Sequence, residues 1–153
     1  MLVAPVSAIA KDKAPKGPAQ AIASWTENLD YHTEHSLSLH AGTLTAVSIL
    51  FDPSLASDYP NGDRAELAVK LARIKAINTG VLHDGIYSIG IESKGPHDIA
   101  YTEQVISLGK RVSRWGSRED FTVFDSTQKD LRDAVYGKLC ALVNPGVCVG
   151  ERK

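Results

Sequence analysis

This chain of 153 residues has few cysteines and almost no excess of positive or negative charge, and both features exclude several classes of protein. Two cysteines, Cys140 and Cys148, are too few for a disulfide framework, and their spacing matches no zinc motif. They are either two free thiols or the partners of a disulfide, within one chain or between subunits. The 17 basic and 18 acidic residues leave a net charge of −1, whereas nucleic-acid-binding domains are usually basic. Any contact with nucleic acid must therefore depend on a local patch.

Long hydrophobic runs are also missing, since no apolar segment reaches the roughly 20 residues that a membrane helix requires. The apolar start of the chain, Met1 to Ala10, lacks a basic stretch and is interrupted by Pro5. We therefore expect it to belong to the mature protein rather than to a signal peptide.

The common catalytic motifs are absent as well: there is no glycine-rich phosphate loop and no nucleophile elbow. We therefore expect a protein that is not an enzyme and uses no cofactor or metal, although scattered residues could still assemble a catalytic site. His32, Glu34, His35 and His40 are close in sequence and are either metal ligands or plain polar residues. Their spacing does not fit an HExxH motif, which favours plain polar residues.

The N-terminal part of the chain predicts an extension followed by a hairpin. Lys11–Gln20 contains two prolines, a glycine and three lysines, so residues 1–30 are expected to form an arm and residues 31–153 the folded domain. Ser36–Leu39 alternates polar and apolar residues, and Thr43–Phe51 is rich in β-branched residues. With His40–Gly42 as the turn, these two segments predict a β-hairpin.

The middle of the chain predicts further strands. Leu67–Ile77 fits either a helix or a strand, because its helix-forming residues also alternate. Ile86–Glu92 predicts a strand with Ile89 on one face and Ser88 on the other. Ser93–Ala100 is expected to be a loop, and Val105–Phe124 an extended segment.

A helix is predicted at the end of the chain, which makes the expected fold class α+β. Asp125–Gln128 offers a capping box with Asp125 or Ser126 as N-cap, and Asn144–Gly146 stops the helix. An apolar stripe at helical spacing lies between them and includes Leu131, Val135, Leu139 and Leu142.

Several of these segments resemble the coat proteins of single-stranded RNA bacteriophages, the leviviruses. Phe121–Gln128 is similar to the family's last strand with its "FT-aromatic-ST" passage, and Arg132–Leu142 to its helix "R-x-x-V-x-x-x-L-x-x-L". Arg114-Trp115 resembles the start of that strand, and Tyr87–Pro96 the strand leading into the family's long loop. The resemblance extends over residues 36–149.

This resemblance implies an N-terminal β-hairpin, a five-stranded antiparallel meander and C-terminal helices exchanged across a dimer. It implies a capsid protein that assembles as dimers into an icosahedral shell and packages single-stranded genomic RNA. The expected location is the virion, assembled in the bacterial cytoplasm. The family reads an RNA hairpin, but Gly116 stands where the family often has a stacking aromatic residue, so we expect packaging without sequence specificity.

The resemblance also implies two sets of site residues. The helix stripe of Leu131, Val135, Leu139 and Leu142 would pack on the partner's sheet, and packing on the chain's own sheet is the alternative. The sheet face opposite the helix would bind RNA, and its predicted members fit either this role or an ordinary solvated face. Those members are Arg73, Lys75, Ser88, Arg114 and Arg118.

The sequence is also compatible with functions unlike that of a coat protein. The arm with Lys11, Lys13 and Lys16 contacts RNA or a neighbouring subunit, or is simply a terminus. The whole chain could instead be a small α+β protein that binds a metal or ligand, an enzyme without a recognisable motif, or a component of a phage tail. A coat protein predicts a large particle containing nucleic acid, whereas a binding protein predicts a small oligomer with a pocket.

Overall fold

The structure is a computed structural model that describes residues 19–28, 31–51, 63–82, 85–107 and 110–151. Within these residues the chain forms ten strands and one α-helix, an α+β fold. The strands are β1 (Gln20–Asn28), β2 (His32–His40), β3 (Thr43–Phe51), β4 (Asp63–Lys70), β5 (Ile74–Leu82), β6 (Ile86–Ser93), β7 (Ile99–Ser107), β8 (Lys110–Arg118), β9 (Asp120–Ser126) and β10 (Cys148–Glu151). The helix α1 spans Lys129–Cys140.

Two sheets share three long stretches of chain. The six-stranded sheet has the order β1-β2-β3-β4-β7-β8, and the four-stranded sheet has the order β10-β5-β6-β9. β4 continues into β5, β6 into β7 and β8 into β9, so these three stretches cross from one sheet to the other. All pairings are antiparallel except that of β10 with β5. The fold is therefore a largely antiparallel meander that is bent once across its middle.

We call this bend the crease; it consists of residues 71–73, 94–98 and 119. The first part is a 3-10 turn, Leu71–Arg73. Backbone hydrogen bonds continue the strand ladder across the crease, with the Ser93 amide donating to Glu119 at 2.7 Å and the Lys94 amide donating to Arg73 at 2.9 Å. The hydroxyl of the buried Ser93 also donates to the Glu119 carbonyl at 2.8 Å. These bonds pair the carbonyls of Arg73 and Glu119 at the crease.

The predicted hairpin is confirmed as β2 and β3, which pair from His40↔Thr43 to His32↔Phe51. Its turn consists of Ala41 and Gly42, both with positive φ (51° and 80°). This conformation is the one that matches the twist of a two-residue hairpin. Ile86–Ser93 is also a strand, with Ile89 and Ile91 buried. The ambiguous Leu67–Ile77 segment becomes the end of β4, the 3-10 turn and the start of β5.

The predicted boundary at residue 30 is wrong for the strand β1. Gln20–Asn28 pairs with β2, and Ile22 and Trp25 are buried in the core. The Trp25 indole donates to the Asp125 carbonyl at 3.1 Å, and its ring lies 4.3 Å from that of Phe124. β1 therefore packs against β9 and closes one side of the fold. Residues 1–18, including the three lysines of the predicted arm, lie outside the described residues.

The predicted helix is confirmed in position, but its predicted N-terminal capping is wrong. The residue before the helix is Gln128, whose side chain makes no capping hydrogen bond. Instead, the Ser126 hydroxyl accepts the Gln128 amide at 3.0 Å, and the Glu27 carboxylate accepts the Thr127 amide at 2.6 Å. The backbone donors before the helix are thus satisfied partly by a carboxylate from β1.

The chain after α1 forms a turn and a strand, whereas the family resemblance implied a second helix. Cys140 and Cys148 form a disulfide that joins the end of α1 to the start of β10, which decides between the two alternatives for the cysteines.

Among the described residues, no helix is long and apolar enough to cross a membrane.

Candidate nucleic-acid interface

The apolar stripe of α1 packs within its own chain. Val135 and Leu139 are each 1% exposed and belong to the core that also contains Ile89 and Phe124. Leu131 is half-buried against the same core, and Leu142 lies in the turn after the helix. In the single chain, α1 therefore packs on the chain's own sheet, and Val135 and Leu139 need no partner subunit to be covered.

The position of α1 is fixed by polar contacts as well as by packing. The Arg132 guanidinium, in a residue only 6% exposed, donates to the carbonyls of Gly80 at 2.9 Å and Ser88 at 3.2 Å. It also lies 5.3 Å from the centre of the Tyr87 ring. Arg132 is thus a buried cation that donates to backbone carbonyls of β5 and β6, and its Nε also donates to the Asp133 carboxylate at 2.8 Å.

Ser88, a predicted RNA contact, shares a strand face with Gly90 and Glu92, as expected from alternation. Its side chain is nevertheless buried, with 7% of the residue exposed. Ser88 therefore shares a face with Gly90 and Glu92, but its side chain is not exposed to a nucleic acid in this structure.

Three of the four predicted cations have an acidic partner. Arg73 contacts Asp98 at 2.9 Å, whereas Lys75 and Arg114 lie 3.9 Å from Glu92 and Glu103. The last two contacts are long and solvent-exposed, so they contribute little to stability. They do, however, reduce the positive charge that each cation offers to a phosphate.

The predicted grouping of Arg118 opposite Phe121 is wrong. Arg118 lies 5.2 Å from the centre of the Phe121 ring and 4.7 Å from that of Tyr101, so cation and aromatic rings are on the same side. The prediction assumed that side chains alternate between the two faces of the sheet without interruption from β8 into β9. Glu119 lies between the two strands and in neither of them, so the alternation restarts at Asp120. The structure therefore does not bring the four predicted cations together on one face.

The register defines which residues share the other face of the six-stranded sheet. Residues directly opposite each other across an antiparallel pair point to the same side. One such row is Ser36, Val47, Glu66, Thr102 and Trp115. We call the face that carries this row the outer face, because the alternate residues Leu37, Leu44 and Leu67 are in the core.

Cations collect where the outer face meets the crease. A cavity of about 400 Å³ lies there, lined by Thr43, Ala68, Val69, Lys70, Arg73, His97, Asp98 and Ala100. We call Lys70, Arg73 and His97 with this cavity the corner site. Its sides carry Lys70 and Arg73, both exposed, against one carboxylate, that of Asp98. The two alanines leave room for a ligand, and the excess of positive charge suits an anion.

The corner site is held in shape by a short network of hydrogen bonds. The Asp98 carboxylate accepts the Arg73 Nε at 3.0 Å and the Gly95 amide at 2.7 Å. The hydrogen bond from Arg73 is the main cause that lowers the pKa of Asp98 below its usual value. The His97 ring contacts the Ser117 hydroxyl at 2.8 Å, which links the crease to β8. Asp98 thus orients Arg73 and stays ionised while doing so.

Trp115 lies on the outer face, on the same strand as Ser117. It is 78% exposed, the largest value among the exposed large hydrophobic residues of the described chain. Ser117, the hydroxyl partner of His97, is two residues along the same strand, and alternate residues of a strand share a face at a spacing of roughly 7 Å. An exposed indole is a suitable surface for stacking an unpaired base.

The strand that carries Trp115 is also an edge. β8 pairs with β7 on one side and, among the described strands, has no neighbour on the other. Residues 112–118 are all exposed, including both Val112 on one face and Trp115 on the other. A long edge strand exposed on both faces is a template for pairing with another chain.

The histidines of β2 point to different places. The His32 ring lies 3.2 Å from the Glu34 carboxylate on the surface. His35 stacks on Trp25 at 4.9 Å and contacts the Ser48 hydroxyl at 2.9 Å. Burial lowers the pKa of His35, against the opposing effect of the Asp125 and Glu27 carboxylates. Within the described part of the chain, no three His, Cys, Asp or Glu residues are grouped so that they could hold a metal ion.

A second cavity, of about 420 Å³, lies beside His35 on the core side of the six-stranded sheet. Apolar residues such as Leu67 and Phe121 and the carboxylates of Asp63 and Glu103 line it together. The Asp63 Oδ1 atom is buried and has no hydrogen-bond partner.

Sequence patterns alone do not reveal Lys70, His97 and Trp115 as a group. Trp115 stands out only for its likeness to the start of the coat protein's last strand, and His97 as a turn residue. Their proximity depends on the pairing of β4, β7 and β8, which brings distant parts of the chain together. Comparison of the chain with protein-family models, curated proteins and solved structures finds no match.

Proposed function

We propose that this chain is a coat protein of the kind found in single-stranded RNA bacteriophages. In this proposal it associates as dimers, assembles into a closed shell in the bacterial cytoplasm and packages RNA. Its role is structural rather than enzymatic, and its partners are further copies of itself and single-stranded RNA.

The observation that carries the proposal is the strand order. β2, β3, β4, β7 and β8 lie side by side as a five-stranded antiparallel meander, and the last stretch, β8–β9, leads directly into α1. The resemblance to coat proteins implied a hairpin before a five-stranded meander, whereas here β2 and β3 are both the hairpin and the first two strands of the meander, with β1 added at the edge. An antiparallel meander that ends in a helix supports the proposal. The opposite edge, β8, is the unpaired one among the described strands.

The proposed dimer forms by antiparallel pairing of β8 with β8 of a second copy, which extends the sheet across both subunits. Such pairing satisfies the free backbone groups of two edge strands at once. Because Val135 and Leu139 are already buried in their own chain, we propose that α1 keeps its place there. Exchange of helices, as in the resembled family, would instead move the same residues to the partner's sheet.

The proposed RNA contact is the outer face at the corner site and Trp115. Lys70 and Arg73 would bind phosphates, and Trp115 would stack on an unpaired base. Phosphate contacts position RNA without reading its sequence, so the expected packaging is not sequence-specific. With a net charge of −1, the chain depends on this local excess of cations.

The test is expression of the full chain in bacteria, followed by size-exclusion chromatography with absorbance at 260 and 280 nm and negative-stain microscopy. We expect uniform shells that contain nucleic acid. Val112→Glu places a carboxylate on the β8 edge and should prevent assembly while leaving a folded, small species. Val81→Glu is the matched control, because Val81 is also an exposed valine (57% against 39% for Val112) but lies on β5.

A nucleic-acid-free monomer or small oligomer from the unaltered chain would contradict the coat proposal. So would equal assembly of the Val112→Glu and Val81→Glu variants, since the β8 edge would then be irrelevant. The cavity beside His35, with its buried Asp63 oxygen, is the observation that favours a ligand-binding protein instead. Its carboxylates and apolar walls suit a small organic cation, which thermal-shift measurements with simple amines would detect.

A further inference from the structure

The C-terminal strand β10 is a short addition to the edge of the four-stranded sheet. It has four residues and pairs in parallel with β5 at Cys148↔Ile77, Gly150↔Asn78 and Glu151↔Thr79, with an irregularity after Cys148. Parallel pairing is slightly less stable per residue than antiparallel pairing. The pairing alone is therefore a weak attachment.

Three further contacts hold β10 in place, and two of them involve Tyr136 of α1. The Tyr136 hydroxyl donates to the Ile77 carbonyl at 3.0 Å and accepts the Gly150 amide at 2.9 Å, so it bridges β5 and β10. The Ile77 amide donates to the Val147 carbonyl at 2.8 Å. Each is a single hydrogen bond, a contact that is weak on its own.

The Cys140–Cys148 disulfide is the one covalent contact between β10 and α1. The two cysteines are eight positions apart in sequence, and the loop that they close contains Pro145 and Gly146. Both cysteines are half-buried, so a small reductant can reach them. Cleavage takes up two electrons and two protons from a dithiol, which becomes a cyclic disulfide, and leaves two thiols.

We propose that this disulfide is a redox-controlled clasp. While it is intact, β10 stays on β5 and covers the backbone edge at Ile77–Thr79. When it is reduced, β10 detaches and that edge opens. Since disulfides are rare in a reducing cytoplasm and persist outside it, the clasp would be open after synthesis and close in oxidising surroundings. The clasp does not depend on the coat proposal.

Hydrogen exchange measured by mass spectrometry on the full chain tests the clasp. The oxidised protein is compared with protein reduced by dithiothreitol, and alkylation counts the free thiols in each sample. From the loop-closure entropy, we expect the Ile77 amide to exchange roughly 50- to 100-fold faster after reduction. A peptide from the β2–β3 hairpin should keep its rate.

The variant Cys140→Ser with Cys148→Ser separates the bond from other effects of the reductant. We expect it to exchange at the fast rate with or without dithiothreitol. Equal protection of Ile77 in the oxidised and reduced chain would overturn the proposal, and so would two alkylatable thiols under oxidising conditions. Faster exchange throughout the chain, including the β2–β3 hairpin, would also overturn it, because the disulfide would then hold the whole fold rather than one strand.

Discussion

Replacing Arg132 with methionine tests how α1 is fixed to its own sheet. Methionine keeps an unbranched apolar stem but removes the cation and its donors. The change leaves the carbonyls of Gly80 and Ser88 without this donor and removes the contact with the Tyr87 ring. It also removes the 2.8 Å contact of the buried Arg132 Nε with the more exposed Asp133 carboxylate, which adds to the expected loss.

The expected loss follows from these contacts. A hydrogen bond from a charged group contributes about 1.5–3 kcal/mol, and a cation over an aromatic ring about 0.5–2 kcal/mol. One guanidinium nitrogen serves both carbonyls, so the bonds are not independent. We expect Arg132→Met to lower the free energy of unfolding by about 2–4 kcal/mol, equivalent to a fall of about 4–16 °C in Tm for a domain of this size.

Urea unfolding followed by circular dichroism measures this loss. The experiment is done in the Val112→Glu background, so that association through β8 does not contribute. Lys129→Met is the control, because it breaks the exposed Lys129–Asp133 pair at 2.7 Å on the same helix and should leave the midpoint almost unchanged.

Two results would refute the reasoning. If Arg132→Met and Lys129→Met have equal midpoints, the carbonyl contacts do not hold α1 in place. If the midpoint of the parent variant rises with protein concentration, folding is coupled to association, and the loss on Arg132→Met no longer measures the attachment of α1 to its own sheet alone.

Two further predictions concern the outer face and the core. Trp115→Ala should weaken binding of a fluorescent single-stranded RNA by about 10- to 100-fold, the effect of losing one stacked base. The control is Tyr31→Ala, a change at another exposed aromatic residue, which should leave the affinity as it was. Equal affinities of the two variants in fluorescence polarisation would exclude Trp115 from the interface. Burial lowers the pKa of His35, so the folded state prefers the neutral ring. The stability associated with this preference is fully present above the ordinary pKa of 6.5 and is lost as the pH falls through the lowered pKa. His35→Gln should therefore lose stability less steeply than the parent chain on acidification below 6.5 in urea titrations, and parallel curves would show that another group dominates.

Local patterns predicted those elements whose signal lies within a few residues. The β2–β3 hairpin was predictable because alternation, β-branched residues and an Ala-Gly turn agree. The strand β6 was predictable from alternation alone. The helix α1 was predictable from its stripe, although Glu27, a residue distant in sequence, takes part of the capping role and could not be foreseen.

The missed features depend on distant contacts. β1 follows a segment rich in proline and lysine, and its strand character becomes evident only when Ile22 and Trp25 pack against α1 and β9. The corner site and Trp115 together draw Lys70, His97 and Trp115 from three stretches of the chain, and no single window of sequence contains more than one of these three residues. An antiparallel sheet followed by a helix was predictable, but not which face each cation occupies.

The crease has a consequence for how the chain tolerates insertions and deletions. Within a strand, adding one residue turns every later side chain to the opposite face, much as a shift of reading frame changes every later codon. At residues 71–73, 94–98 and 119, the alternation of the first sheet ends and that of the second starts anew. A one-residue change in the crease therefore leaves the inside and outside of both sheets as they were. The two halves of the meander have independent frames, so a change in length at the crease should be far less harmful than the same change in β4 or β6.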